Sequence, residues 1–131
     1  MTSVLVSLLI LTLLPITCSW VGGYYRNKQL GSIDNKEPRA QSLSLTGAGA
    51  RAVAAQANSW EALALFSAAL LALVISGVGL ETVATQALIV AALRIAYVPC
   101  YIMNIDKLRS MAFLGSFGIC LYFFYLAINA A

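Results

Sequence analysis

Eight polar residues stand inside or at the edges of otherwise apolar runs: Arg51, Asn58, Glu61, Arg94, Tyr97, Tyr101, Arg109 and Ser110. Their spacing is helical. Arg51 and Asn58 are seven residues apart, close to two turns, and Glu61 follows three residues later, so all three share one stripe. Arg94, Tyr97 and Tyr101 occupy i, i+3 and i+7 of another run and share a second stripe. Ionisable groups within apolar helices are costly unless they face a bundle interior or a wet cavity, and there they mark substrate or ion sites.

The chemistry open to this set is cationic. Glu61 lies roughly 15 Å beyond Arg51 along a helix axis, and Arg94 lies roughly 13 Å from the end of its own run. Opposite charges at matching depth are expected to interact, within one subunit or between subunits. Arg94 and Glu61 then form either part of a ligand site or only a register-fixing ion pair. Arg109 and Ser110 start the last run, where a helix carries unpaired N–H groups and partial positive charge. That position favours an anion or a thiolate, with a lipid-phosphate anchor as the plainer alternative.

Other chemistries have less support. The chain has no histidine, which removes the commonest metal ligand and the commonest general base. Cys18, Cys100 and Cys120 are odd in number and widely spaced, with no metal-ligand spacing and no disulfide framework. They read as small buried hydrophobes. A net charge of +3 without a basic tract does not suit nucleic acid as a partner.

The elements that must position these groups are membrane helices. The 131 residues are 61% hydrophobic and 10% charged, with a mean hydropathy of +0.87, whereas soluble domains carry about 25% charged residues. The length allows one domain, 1–131, with about four spans of roughly 20 residues. Spans are expected at about 2–24, 50–75, 80–103 and 108–128. The start of the first lacks a basic segment, and Thr17 before Cys18 matches a lipoprotein cleavage box poorly, so it reads as a retained span rather than a signal peptide. Trp20, Tyr24 and Tyr25 suit a membrane–water interface, and Pro15 is expected to kink the helix.

The polar stretch 26–49 reads as a loop, Ser76 to Gly79 as a tight turn, and Asn104 to Lys107 as a short connection. Arg26, Lys28, Lys36 and Arg39 lie in the first loop, and Lys107 and Arg109 flank the third. The second loop and both termini carry no basic residue, so loops one and three are expected in the cytoplasm and both termini outside it. Glu81 complements a helix start. The alanine-rich stretch from Ala48 to Ala57 lets helices approach closely, and the aromatic residues of the last run suit lipid or subunit packing. The expected fold is an all-α membrane protein, a four-transmembrane-helix bundle.

The run from Arg51 through Asn58 to Glu61, RAVAAQANSWE, resembles the second-helix signature of the MAPEG proteins, membrane-associated proteins in eicosanoid and glutathione metabolism. Arg94-Ile-Ala-Tyr97-Val-Pro-Cys-Tyr101 is similar to that family's third-helix motif, and Leu108-Arg109-Ser110 to the start of its fourth helix. The resemblance covers nearly the whole chain and is nearest to small bacterial members, which implies the bacterial inner membrane. It implies a homotrimer with glutathione as co-substrate, held between neighbouring subunits. Arg51, Asn58, Glu61, Arg94, Tyr97 and Tyr101 would form the binding set. Arg109 would stabilise the glutathione thiolate, with Ser110 beside it. The implied reaction is thiolate attack on a lipophilic electrophile or hydroperoxide dissolved in the bilayer.

The chain departs from the family pattern at four positions. Ala54 and Ala57 stand where glutathione-binding members tend to carry further basic residues, Tyr97 where histidine is frequent, and Phe113 where a tyrosine follows the catalytic arginine. Fewer cations mean weaker capture of a ligand with two carboxylates. Three readings therefore compete. One is a microsomal-type glutathione transferase or peroxidase. Another is a non-catalytic protein of the same fold that binds membrane lipid or presents a lipophilic substrate. The third is a small proton-coupled transporter with Glu61 as proton carrier, which cation efflux abolished by Glu61→Gln would support.

Overall fold

The computed structural model describes residues 1–131. Helix α1 spans Thr2–Leu30, α2 Pro38–Leu43, α3 Gly47–Ile75, α4 Ala84–Ile102 and α5 Asp106–Ala130, with a 3-10 turn at Leu80–Val83 ahead of α4. Four of these segments are long and apolar enough to cross a bilayer. Helices are the economical solution there, because every backbone N–H must find its partner within its own segment.

The helices overrun the apolar runs at the loop-one end. α1 carries on past Tyr24 through Arg26 and Lys28 to Leu30, where Gly31 closes it in the left-handed conformation (φ 79°). The helix continues through Pro15, where the missing N–H removes one bond from the ladder. The remaining polar stretch is partly ordered as well. Asp34 Oδ1 accepts the N–H groups of Lys36 and Glu37 at 2.7 and 3.2 Å, and the following Pro38 opens α2. Gln41 of α2 reaches back to accept the Asp34 N–H at 2.9 Å and to donate to the Ser32 carbonyl at 2.8 Å. Gln29 and Thr46 exchange two hydrogen bonds of 3.1 Å that tie the end of α1 to the start of α3.

α3 packs on α1, α4 and α5; α4 likewise touches α1 and α5, so α3 and α4 form the central diagonal of the bundle. Small residues allow the α1–α3 approach. Gly22 and Gly23 of α1 are buried, and Ala52 and Ala55 of α3 are fully covered. A Cβ added at Gly49 would stand 3.0 Å from Tyr25 Cβ and from Gln29 Nε2. At the other end the core is aliphatic and aromatic: Phe66 and Phe123, both fully buried, meet at 6.2 Å between ring centres, with Leu11, Leu73 and Val90 around them. The aromatic residues of α5 are expected from sequence in lipid or subunit packing. Phe123 instead belongs to the core, while Phe113, Phe117, Tyr122 and Tyr125 lie exposed on the outside.

The connection between α4 and α5 sets the site. Asn104 takes the left-handed conformation (φ 62°), which asparagine tolerates better than most residues. The Ile105 N–H donates to the Cys100 carbonyl at 2.8 Å, and the Asn104 N–H to Tyr101 at 3.1 Å. The chain reverses within a few residues and places the first turns of α5 beside the last turn of α4.

Candidate functional site

Arg94 anchors the site. It is the largest fully buried side chain of the bundle, with 1% of its surface exposed. Its Nη2 donates to Asn58 Oδ1 at 2.7 Å and to the Asn58 backbone carbonyl at 3.1 Å, joining α4 to α3. The guanidinium lies over the Tyr97 ring, 4.2 Å from its centre. Its Nε is buried and has no hydrogen-bond partner. An unmet buried donor costs about 1–3 kcal/mol.

The expected direct pairing of Arg94 with Glu61 does not form. Glu61 Oε2 accepts instead from Asn58 Nδ2 at 3.0 Å, so Asn58 stands between the two charges and bonds to both. The reason is rotational. Asn58 faces α4, whereas Glu61, three residues on, has turned toward the outside of the bundle and is exposed. Within the chain the two groups form no ion pair; a charge–amide–carboxylate relay runs instead from buried Arg94 through Asn58 to exposed Glu61.

Arg51 shares the Asn58 stripe, but the structure uses it differently. Its Nε donates to the Ile102 carbonyl at 2.8 Å, in the last turn of α4. A cation at a helix C-terminus satisfies an orphan carbonyl and complements the helix dipole. Arg51 lines neither of the cavities described next.

The other expected residues converge. Asn58, Tyr97, Tyr101, Arg109 and Ser110 line one open cavity of about 390 Å³, with the exposed side chains of Phe113 and Leu114 at its edge. Tyr97 and Tyr101 pack edge to face at 5.5 Å, and the Arg109 guanidinium lies over Tyr101 at 4.6 Å from the ring centre. The tyrosines thus carry two arginines on their ring faces, one buried and one near the loop end. The backbone part of the expectation for Arg109 does not hold. α5 begins at Asp106, and the Arg109 N–H is already donated to the Ile105 carbonyl at 3.0 Å. Only its side chain is left to bind an anion.

A second cavity, of about 170 Å³, adjoins the first and shares Asn58 and Phe113 with it. It holds Glu61 and Arg94, and its apolar walls are Ala62 and Leu65 of α3, Val90 of α4 and Phe117 of α5. Phe113 and Phe117 are stacked, 5.9 Å between centres and 6° between planes, and form the outer wall. Ser116 and Cys120 complete the lining from α5. Sequence reasoning passed over this wall. The signal was present, since Phe113, Ser116, Phe117 and Cys120 follow the i, i+3, i+4, i+7 pattern of one helix face. Nothing in the sequence marked the Ile102 carbonyl as a partner for Arg51.

The arrangement pairs a polar compartment containing a side-chain cation with an apolar compartment that opens outward past exposed Glu61 and Phe117. A water-soluble anion or thiol suits the first and a lipophile the second. Compared with known proteins, residues 3–129 match the model of the MAPEG family. No curated protein and no solved structure matches the chain.

Proposed function

The chain belongs to the MAPEG family, and on that premise we propose that it is a glutathione-dependent transferase or peroxidase acting on lipophilic electrophiles. The observation that carries this reading is the meeting of Arg109, Ser110, Tyr97, Tyr101 and Asn58 around one cavity, with an apolar cavity directly beside it. The donor set fits a polar, anionic thiol. Arg109 would hold the sulfur as thiolate, because a nearby cation in a partly dry site lowers a thiol pKa and raises the reactive fraction at neutral pH. Ser110 would donate to the same sulfur. Asn58 and Glu61 would take a peptide amide and the ammonium group of the tripeptide, and Tyr97 and Tyr101 would bound it.

Several further parts of the reading follow. Glu61 is exposed on the flank of an apolar helix, and a carboxylate facing lipid is costly. A neighbouring copy that covers it removes this cost, which supports a homotrimer with glutathione near the subunit boundary. The basic residues of loops one and three support an orientation with the site toward the cytoplasm, where glutathione is supplied, and both termini on the other side. Arg51 belongs with the scaffold in this reading, through its bond to Ile102.

Ala54 and Ala57 favour a second reading, a lipid-binding or substrate-presenting protein of the same fold, because they leave α3 without further cations for the two carboxylates of glutathione. Equilibrium binding of glutathione to the detergent-purified protein, with ultraviolet detection of thiolate, separates the two. The transferase reading expects saturable binding with thiolate formation that Arg109→Ala abolishes. Absence of binding at cellular glutathione concentrations, with a lipid co-purifying and no turnover, would establish the second reading instead.

A further inference from the structure

Arg94, Tyr97, Tyr101 and Arg109 form one column. The Arg94 guanidinium lies over the Tyr97 ring at 4.2 Å, Tyr97 meets Tyr101 edge to face at 5.5 Å, and the Arg109 guanidinium lies over Tyr101 at 4.6 Å. Its inner end is packed into the bundle. Arg94 is 1% and Tyr97 4% exposed, and Asn58 of α3 accepts two hydrogen bonds from Arg94. Its outer end, Tyr101 and Arg109, is half-buried at the open cavity. Tyr97 and Tyr101 are four residues apart on α4 and share a face, whereas Arg109 arrives from α5. The connection between the helices brings it there: Asn104 turns left-handed, and the Ile105 N–H donates to the Cys100 carbonyl at 2.8 Å.

How Arg109 is held decides how much of its charge a ligand can use. A carboxylate could fix the guanidinium as firmly as a ring does, but it would cancel the charge and occupy N–H donors. Asp106 stands three residues before Arg109 on α5, a spacing at which such a pair can form. A ring face attracts the cation through its quadrupole, carries no net charge and uses none of the five N–H donors. Resting on the glutathione reading above, we propose that Tyr101 is a positioning residue. Its ring face, and not its hydroxyl, holds the Arg109 guanidinium at the cavity with charge and donors free for the thiolate. A charged group stabilises an anion best when it is fixed beforehand, because no reorganisation is then needed as the anion forms. The column extends that order from Asn58 in the bundle interior, through the edge of Tyr97, to Arg109 at the cavity. Tyr101 thereby gains a role beyond bounding the tripeptide, and exerts it through Arg109 without touching the reacting sulfur.

The test uses the full chain in detergent micelles, as wild type, Tyr101→Leu and Tyr101→Phe. Two signals are read. One is the pH midpoint of glutathione thiolate absorbance at saturating glutathione. The other is the NMR position of the Arg109 side-chain Nε–H and δ-methylene without glutathione, assigned by their loss in Arg109→Lys; a cation over a ring face resonates upfield of an ordinary arginine. A cation–π contact between half-buried groups is worth a factor of about 3 to 30, or about 0.5–1.5 pH units in a thiol midpoint. Tyr101→Leu is expected to raise the midpoint by that amount and to lose the upfield shift. Tyr101→Phe restores the ring and is expected to keep both, whatever it does to glutathione affinity. If Tyr101→Leu does not fold, 3,4,5-trifluorophenylalanine at position 101 takes its place, keeping the shape while draining the negative ring face; the midpoint is then expected to rise in the same direction. An unchanged midpoint on loss of the ring face, or an equal rise in Tyr101→Phe, overturns the inference and leaves the glutathione reading standing. No thiolate in wild type sinks the glutathione reading. The NMR signal then decides the hold of Tyr101 on Arg109 alone: an upfield shift kept in Tyr101→Phe and lost with the ring face upholds it, and any other pattern overturns it.

Discussion

Replacing Asn58 with leucine removes the one side chain that bonds to both Arg94 and Glu61. Two scales bear on the cost. Side-chain hydrogen bonds between membrane helices average about 0.6 kcal/mol and reach about 1.7, because the unfolded chain in a membrane finds other partners. A charged donor strengthens such a bond roughly twofold. Arg94 is 1% exposed, so water cannot replace the lost acceptor, and the Asn58 backbone carbonyl at 3.1 Å is the only bond that survives. The side-chain bond is thus expected to show a coupling of about 1.5–3 kcal/mol, a factor of roughly 10 to 150 in the folding equilibrium. A double-mutant cycle of Asn58→Leu with Arg94→Met measures it, by dodecyl sulfate titration in mixed micelles followed through Trp20 and Trp60 fluorescence. The double variant should be less destabilised than the sum of the single variants by that amount. A coupling below about 0.5 kcal/mol would refute the reasoning, and would mean that packing around Arg94 holds α3 to α4 and the relay contributes little.

Two further outcomes follow from other contacts. Arg51→Ala should destabilise the protein by about 1 kcal/mol through loss of the partly exposed cap on Ile102, seen as a lower Tm and faster amide exchange at the α4–α5 connection; a loss of glutathione affinity as deep as that of Arg109→Ala would instead place Arg51 in the binding site. Gly49→Ala should cost about 1–3 kcal/mol, because its Cβ meets Tyr25 Cβ and Gln29 Nε2 at 3.0 Å, and thermal unfolding beside the control Gly118→Ala, whose Cβ would meet nothing within 4 Å, checks it.

The four spans were legible because each apolar run approaches the thickness of a bilayer, and a helix is the form such a run takes there. Helical spacing alone also put Arg51 with Asn58 and Tyr97 with Tyr101 on common faces, and the structure keeps both pairings: the first pair faces α4, and the second lines one cavity with Arg109 and Ser110. The ends were read less well. Arg26 and Lys28 looked like loop residues but extend α1, since charged side chains at a membrane surface do not stop a helix whose ladder is still running.

Periodicity assigns a side chain to a face of its own helix; it carries no information on what that face meets. The rotation and axial register of one helix against the next come from contacts distant in sequence: Gly49 against Tyr25, Ala52 and Ala55 in the bundle interior, and Phe66 against Phe123. Those contacts turn Asn58 inward and leave Glu61 outside, so Arg94 meets an amide rather than a carboxylate. They bring the Ile102 carbonyl to Arg51 and bury the Nε–H of Arg94 without a hydrogen-bond partner. Composition and run length set the class of protein, and helical spacing set which polar residues share a face. Tertiary packing alone decided which of them meet, because pairing between helices is set by close fit over the whole bundle and not by the spacing within any one run.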